Sequence, residues 1–230
     1  MMDKHFFQSL SPAKVVEFNP EIDIMAEINL SPDNPELTPN VVADTATFSK
    51  FIDQKLQENN SRYLVGGYGE RREIYRRSTL FDDNVGAPQK DEPRNIHLGV
   101  DIWAAAGTPV YLPLEGNIHS FAYNGAFGDY GATIIVEHEF YGNHFFTLYG
   151  HLSKQDLIGI QPGEHVEKGS VIGHFGKPED NGDWPPHLHF QVIRNIGDMK
   201  GDYPGVCKTS EKESYLENCP DPRWLMVWKW

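Results

Sequence analysis

The apolar positions along this chain change rhythm twice. Over the first 45 residues or so they keep no sustained period, and NLSPDNPELTPN (29–40), with three prolines and three asparagines, reads as an extended connector. In TATFSKFIDQKLQENN, Phe48, Phe51, Ile52, Lys55 and Leu56 then fall at i, i+3, i+4, i+7 and i+8. That spacing predicts one amphipathic helix over about 47–58, with Thr45 or Thr47 as N-cap and Asn59-Asn60 as its stop. Its Phe48/Phe51 pair reads as a docking face for the main domain. From about 97 to 194 the pattern becomes short apolar runs between Gly, Pro, Asn and Asp: TPVYLPL, GNIHSFAY, ATIIVEHEF, HFFTLYGHL, HVEKGSVIGHF and HLHFQVI. Their length and their β-branched and aromatic content predict antiparallel strands, and no helical stretch alternates with them, which disfavours a βαβ parallel sheet. The fold class is therefore mainly β: an antiparallel sheet core with one N-terminal amphipathic helix and irregular termini. The expected organisation is an N-terminal extension (1–60), a β domain (61–195) and a C-terminal extension packing on it (196–230).

Composition narrows the field. At 39% hydrophobic residues over 230 positions the chain can bury a core, so disorder throughout is excluded. With 33 acidic against 20 basic side chains and a net charge of −13, bulk charge supports neither nucleic acid nor an anionic membrane as partner. No apolar run approaches the roughly 20 residues of a membrane span. MMDKHFFQSLSPAKVVEF lacks the basic and then apolar regions of a signal peptide, so the expected location is the cytoplasm, or the periplasm or exterior if the N-terminus is incomplete. Cys207 and Cys219 read first as two reduced thiols, with one bridge between them as the alternative. The arginines of GGYGERREIYRRS (66–78), Arg71, Arg72, Arg76 and Arg77, read first as a solvated charge run. The second reading is an arginine that lines a substrate groove and meets a carboxylate.

Histidine carries the chemistry. Nine of the ten lie between His97 and His189. RNIHLGVDIW sets His97 and Asp101 four apart with Gly99 between them, and PPHLHFQV sets His187 and His189 two apart. On a strand, residues i and i+2 share a face, so both imidazoles of H-x-H project into one groove. Two histidines and a carboxylate are a usual ligand set for catalytic zinc, with a fourth position left for water, and also match the facial triad of non-heme iron oxygenases. HEFYGNH (138–144) imitates the zinc helix H-E-x-x-H, but its histidines are six apart, about 600° around a helix. Tyr141-Gly142-Asn143 reads instead as a hairpin turn, with His138 and His144 flanking it. GEHVEKGSVIG looks like a lipoyl-type lysine hairpin without the neighbours that Lys168 would need for modification. Of the aromatics that could line a groove, Tyr123, Phe127, Tyr130, Tyr149 and Trp184, each reads more readily as core. Pro185-Pro186 stiffens the approach to His187.

At these residues the chain resembles the lysostaphin-type, LytM-domain zinc endopeptidases (peptidase family M twenty-three). The likeness covers about a hundred residues, through HLGVD (97–101), AGTPVYLPLEGNI (106–118), TLYGHLS (147–153), PGEHVEKGSVIGHFG (162–176) and HLHFQV (187–192). It implies an antiparallel β fold with a groove over a zinc ion, metal ligands His97, Asp101 and His189, and catalytic histidines His151 and His187. It also implies hydrolysis of peptides of the bacterial cell wall, so the expected partner is a peptide or peptidoglycan fragment. The flanks 66–78 and 201–224 lie outside the common domain and are similar to an intracellular branch of the family. That leaves a cytosolic zinc hydrolase with a non-wall substrate, or a non-catalytic binding module, as alternatives.

Overall fold

The computed structural model describes residues 2–82 and 92–226; residues 83–91 and 227–230, within the expected β domain and C-terminal extension, lie outside the described residues. Among the described residues the α-helices are α1 (Lys4–Ser9), α2 (Pro39–Val42), α3 (Thr45–Glu58) and α4 (Lys212–Asn218). The strands are β1 (Met25–Glu27), β2 (Tyr63–Gly66), β3 (Arg94–His97), β4 (Val100–Trp103), β5 (Pro109–Tyr111), β6 (Gly116–Asn124), β7 (Gly131–Phe140), β8 (Asn143–Leu152), β9 (His165–Val166), β10 (Val171–His174), β11 (His187–Ile193) and β12 (Val206–Lys208). Eight of them form one sheet in the order β1-β2-β4-β11-β8-β7-β6-β9, while β5 pairs with β10 and β3 with β12. The fold is mainly β and, among the described residues, its strands pair antiparallel except β1 and β2, which run parallel. The chain between them holds α2 and α3, which carry it back to the same end. A βαβ connection thus exists at the sheet edge, in the stretch whose three-residue strand is too short to show a period.

The long strands alternate as a sheet buried on both faces must. Ile134 and Val136 of β7 enter one cluster with Tyr149, Phe190, Val192 and Phe145, while Ile135, Leu148 and Ile193 enter another with Ile96, Leu98, Cys207 and Cys219. A third cluster lies under α3, where Phe48, Phe51 and Ile52 pack on Leu64, Trp103 and Trp184. The Phe48/Phe51 pair therefore docks on the domain, and it does so beneath two tryptophans that border the site described below. The helix begins at Thr45, and its cap is Asp44, whose carboxylate accepts from the Thr47 amide, rather than either threonine.

Lack of a period does not leave the first 45 residues unpacked. Phe7, Val15, Val16 and Leu30 are fully buried, Phe7 meets Phe145 edge-on at 5.1 Å, and Tyr111 donates its amide to the Val15 carbonyl. Burying such a side chain stabilises the fold by about 1.5–3 kcal/mol. The anchors are spaced irregularly because each meets a different part of the domain, so no local period marks them.

His138 also departs from expectation. Strand β7 continues to Phe140, the turn is Tyr141-Gly142 with both φ positive (53° and 73°), and only His144 lies exposed beside it. His138 is wholly buried and stacks on Phe145 at 5.0 Å. Its Nδ1 donates to the Glu115 carbonyl, and its Nε2 is 2.7 Å from Thr147 Oγ1. Burial lowers its pKa to about 4. The unfolded chain takes up this proton below about pH 6.5 while the folded chain resists until about 4, so stability is full above 6.5 and lost as pH falls through that window. Between pH 6.5 and 4, wild type should lose about 3 kcal/mol more stability than His138→Gln in urea unfolding; equal losses would refute a buried neutral imidazole.

Candidate metal centre and cleft

Strand pairing assembles the site. In the antiparallel register of β11 on β4, His189 lies opposite Asp101 and His187 opposite Trp103, so each pair shares a face. On its other edge β11 sets His189 opposite Gly150 of β8, which brings His151 alongside. His97 comes from the end of β3, with two residues between it and the start of β4. All five predicted residues are nine-tenths or more buried at the floor of one cleft of about 250 Å³. Gly99 makes the approach of β4 to β11 possible, since a Cβ there would lie 2.6 Å from the His189 ring and 2.8 Å from the Phe190 carbonyl.

Three ligand atoms converge. His97 Nε2 is 2.9 Å from His189 Nδ1, and each is 3.2 Å from Asp101 Oδ1. The outer partners fix the tautomers. His97 Nδ1 faces the Gly67 carbonyl at 3.0 Å and must donate to it, which leaves the lone pair on Nε2. Gln191 gives its amide N–H to the Pro204 carbonyl and to Cys219 Sγ, so its Oε1 faces His189 Nε2 at 2.9 Å and accepts from it. The His189 lone pair is therefore on Nδ1. Two imidazole lone pairs and a carboxylate oxygen point at one another with no proton between them, an arrangement that a metal cation satisfies.

The charges agree. Burial, then the neighbouring Arg72 guanidinium, lowers the His97 pKa to about 3. Burial alone would raise the Asp101 carboxyl, but His97 and Arg72 beside it hold it well below the usual range. His97 is thus neutral and Asp101 ionised at pH 7, the states in which both can ligate.

His151 and His187 lie beside this triangle, their ring centroids 4.1 Å apart. His187 is stacked on Trp103 at 3.9 Å and 18° and gives its Nδ1–H to the Pro185 carbonyl. His151 gives its Nδ1–H to the Asn181 carbonyl at 2.7 Å. Each ring keeps an Nε2 lone pair. Burial lowers the His187 pKa to about 4, and burial with His187 nearby sets His151 well below its ordinary value. His151 holds a left-handed backbone (φ 62°), fixed by its amide donating to the Tyr130 carbonyl and by Gly176 donating to its own. Such a conformation costs a residue with a Cβ about 1–2 kcal/mol.

The arginine run divides. Arg71 and Arg76 are exposed, whereas Arg72 is fully buried with Nη1 2.5 Å from Asp101 Oδ2. Arg77 is nearly buried between Phe127 and Trp184, each 4.9 Å away. Tyr130 and Trp184 line the cleft, Tyr149 is core, and Tyr123 and Phe127 are neither. Phe127 covers Arg77, and Tyr123 lies under Lys154 at 3.9 Å. Both rings are exposed, each with a cation against one face. Sequence reasoning missed Gln191, although it continues the H-x-H alternation on the same face.

Residues 95–200 match peptidase family M23. The chain is 34% identical over 109 residues to the L-Ala--D-Glu endopeptidase of Bacillus subtilis (strain 168), which covers 45% of this chain and 31% of that protein. It is 27% identical over 169 residues to the peptidoglycan DD-endopeptidase ShyC of Vibrio cholerae, 68% of this chain and 35% of that protein. The chain thus spans about a third of the length of these curated relatives. The catalytic domain of the antimicrobial peptidase lysostaphin from Staphylococcus simulans superposes with a TM-score of 0.40 at 22% identity, over 74% of this chain and 98% of that one.

The hydrogen-bond network sets the imidazole tautomers of the metal-free protein. Long-range nitrogen–proton NMR at pH 8 should find His97, His151 and His187 as Nδ1–H forms and His189 as the Nε2–H form; any other assignment would break the convergence of lone pairs.

Proposed function

We propose that residues 95–200, which match peptidase family M23, form a domain of that family and that the chain is a zinc-dependent endopeptidase that hydrolyses amide bonds in peptidoglycan-type peptides. The observation that carries this reading is the convergence of His97 Nε2, Asp101 Oδ1 and His189 Nδ1 at 2.9–3.2 Å. Ligand atoms of a tetrahedral zinc ion, bound at about 2.0–2.1 Å, stand roughly 3.3 Å apart, so these residues fit that ion and would hold it. Zinc, when bound, supplies a Lewis acid that acidifies water and polarises a carbonyl.

The remaining steps fall to this chain's own groups. His151 and His187 are neutral at pH 7, and their Nε2 lone pairs can take the proton of the attacking water. The ring so charged stabilises negative charge on the substrate oxygen and returns the proton to the leaving amine. With the rings 4.1 Å apart, two adjacent imidazolium charges repel, so the pair carries one proton at a time. Trp103 and the carbonyls of Pro185 and Asn181 keep both rings oriented as that proton arrives and leaves.

Wall peptides as substrate are supported by the names of the two endopeptidases above. A second reading, a zinc hydrolase of the same fold acting on a non-wall amide in the cytoplasm, is favoured by the net charge of −13 and by Cys207 and Cys219 as buried free thiols. A non-catalytic module accounts poorly for two further imidazoles kept neutral with free lone pairs.

Purified peptidoglycan incubated with the protein should yield new amines, with release stopped by a chelator and restored by zinc. Full zinc loading without such release would favour the non-wall amide, and no zinc uptake would sink both readings. His97→Ala, Asp101→Ala and His189→Ala should lose the metal. His151→Ala and His187→Ala should keep it, measured by elemental analysis, while kcat/KM falls about 10²–10⁴-fold.

A further inference from the structure

The matched family domain begins at residue 95, yet the centre is completed by a segment before it. Residues 66–72 are zipped onto β3 and its approach: Gly69 donates its amide to the His97 carbonyl, His97 to the Glu70 carbonyl and Arg72 to the Asn95 carbonyl, each at 2.8–2.9 Å. Gly67 adopts φ 102°, and a Cβ there would fall 1.8 Å from Arg72 Nη2, so the loop closes over the arginine only with glycine at that position. The same Gly67 supplies the carbonyl that orients His97.

Within this loop the Arg72 guanidinium, 1% exposed, spends its donors in a fixed pattern. Nη1 meets Asp101 Oδ2 at 2.5 Å and Tyr75 Oη at 3.3 Å, and Nε meets Glu70 Oε2 at 2.7 Å. Glu70 is held in turn by the Leu30 amide on Oε1. The two oxygens of Asp101 thus face different partners: Oδ2 the guanidinium, Oδ1 the nitrogens of His97 and His189.

We propose that Arg72 is a positioning residue of the metal centre: by holding Asp101 Oδ2 it limits the carboxylate to one ligating oxygen, and Glu70 balances its charge. The inference rests on the metalloenzyme reading and adds to it a part played by chain outside the family domain. A planar fork is required, because a guanidinium reaches both carboxylates at fixed angles while an ammonium is a single point charge.

The test is metal binding, independent of turnover. Wild type, Arg72→Gln and Arg72→Lys are titrated with Zn²⁺ against a chromophoric chelator, and the visible spectrum of each Co²⁺-loaded protein is recorded. Arg72→Gln should bind Zn²⁺ about 10–100-fold more weakly, the usual consequence of losing a partner that orients a ligand. Its Co²⁺ band should lose intensity as Asp101 becomes bidentate and the coordination number rises. Arg72→Lys keeps the buried charge, and so the fold, but should show the same altered spectrum. Wild-type affinity and spectrum in either folded variant would overturn the role of Arg72 while leaving the metal reading intact. No uptake of Zn²⁺ or Co²⁺ by wild type would overturn both.

Discussion

A carboxylate removed from water must be met on every side, and Asp101 is the place where this chain meets that demand. Its side chain is 3% exposed, in a setting where an unpaired charge would cost several kcal/mol. Arg72 answers one oxygen, and the two imidazoles of His97 and His189 surround the other without offering it a proton. Everything else in the centre serves this division. The Gly66–Arg72 loop exists to bury the guanidinium, Glu70 to neutralise it, and Gly67 and Gln191 to turn the two rings so that their lone pairs face inward.

The same outer partners separate two kinds of histidine in one cleft. His97 and His189 have their second nitrogens tied so that the first can ligate, whereas His151 and His187 have theirs tied so that the first stays open. All four sit on strands or strand ends whose geometry leaves little freedom. His151, the one residue of the four in a left-handed backbone, is held there by hydrogen bonds on both sides of its own peptide units.

Much of this was legible in the sequence, for a physical reason. H-x-x-x-D and H-x-H are local patterns, and the period of a strand converts the second directly into two side chains on one face. The amphipathic helix at Thr45–Glu58 and the run of short strands were legible for the same reason, since period records local geometry. Arg72 was not, because burial is decided by what the fold lays over a residue. It stands between exposed Arg71 and exposed Arg76 in one charge run, and nothing local separates them. The anchors Phe7, Val15 and Leu30, the parallel edge strand and the burial of His138 are likewise products of distant contacts.

Strand order adds a consequence for how the molecule comes to exist. In the large sheet, β1, β2 and β4 form one flank, and β8, β7, β6 and β9 the other, and β11 alone joins them. The second flank is largely hairpin and can form early from neighbouring segments, whereas β11 must close a loop of 88 residues to place His189 against Asp101. On a growing chain the flanks therefore emerge before the strand that unites them, and that strand carries both histidines of H-x-H. Pairing of β11 completes the sheet and brings His189 to Asp101, while Gln191, which orients His189, still waits for Pro204 and Cys219 further along the chain, so a half-made chain holds no finished site that could act before folding ends.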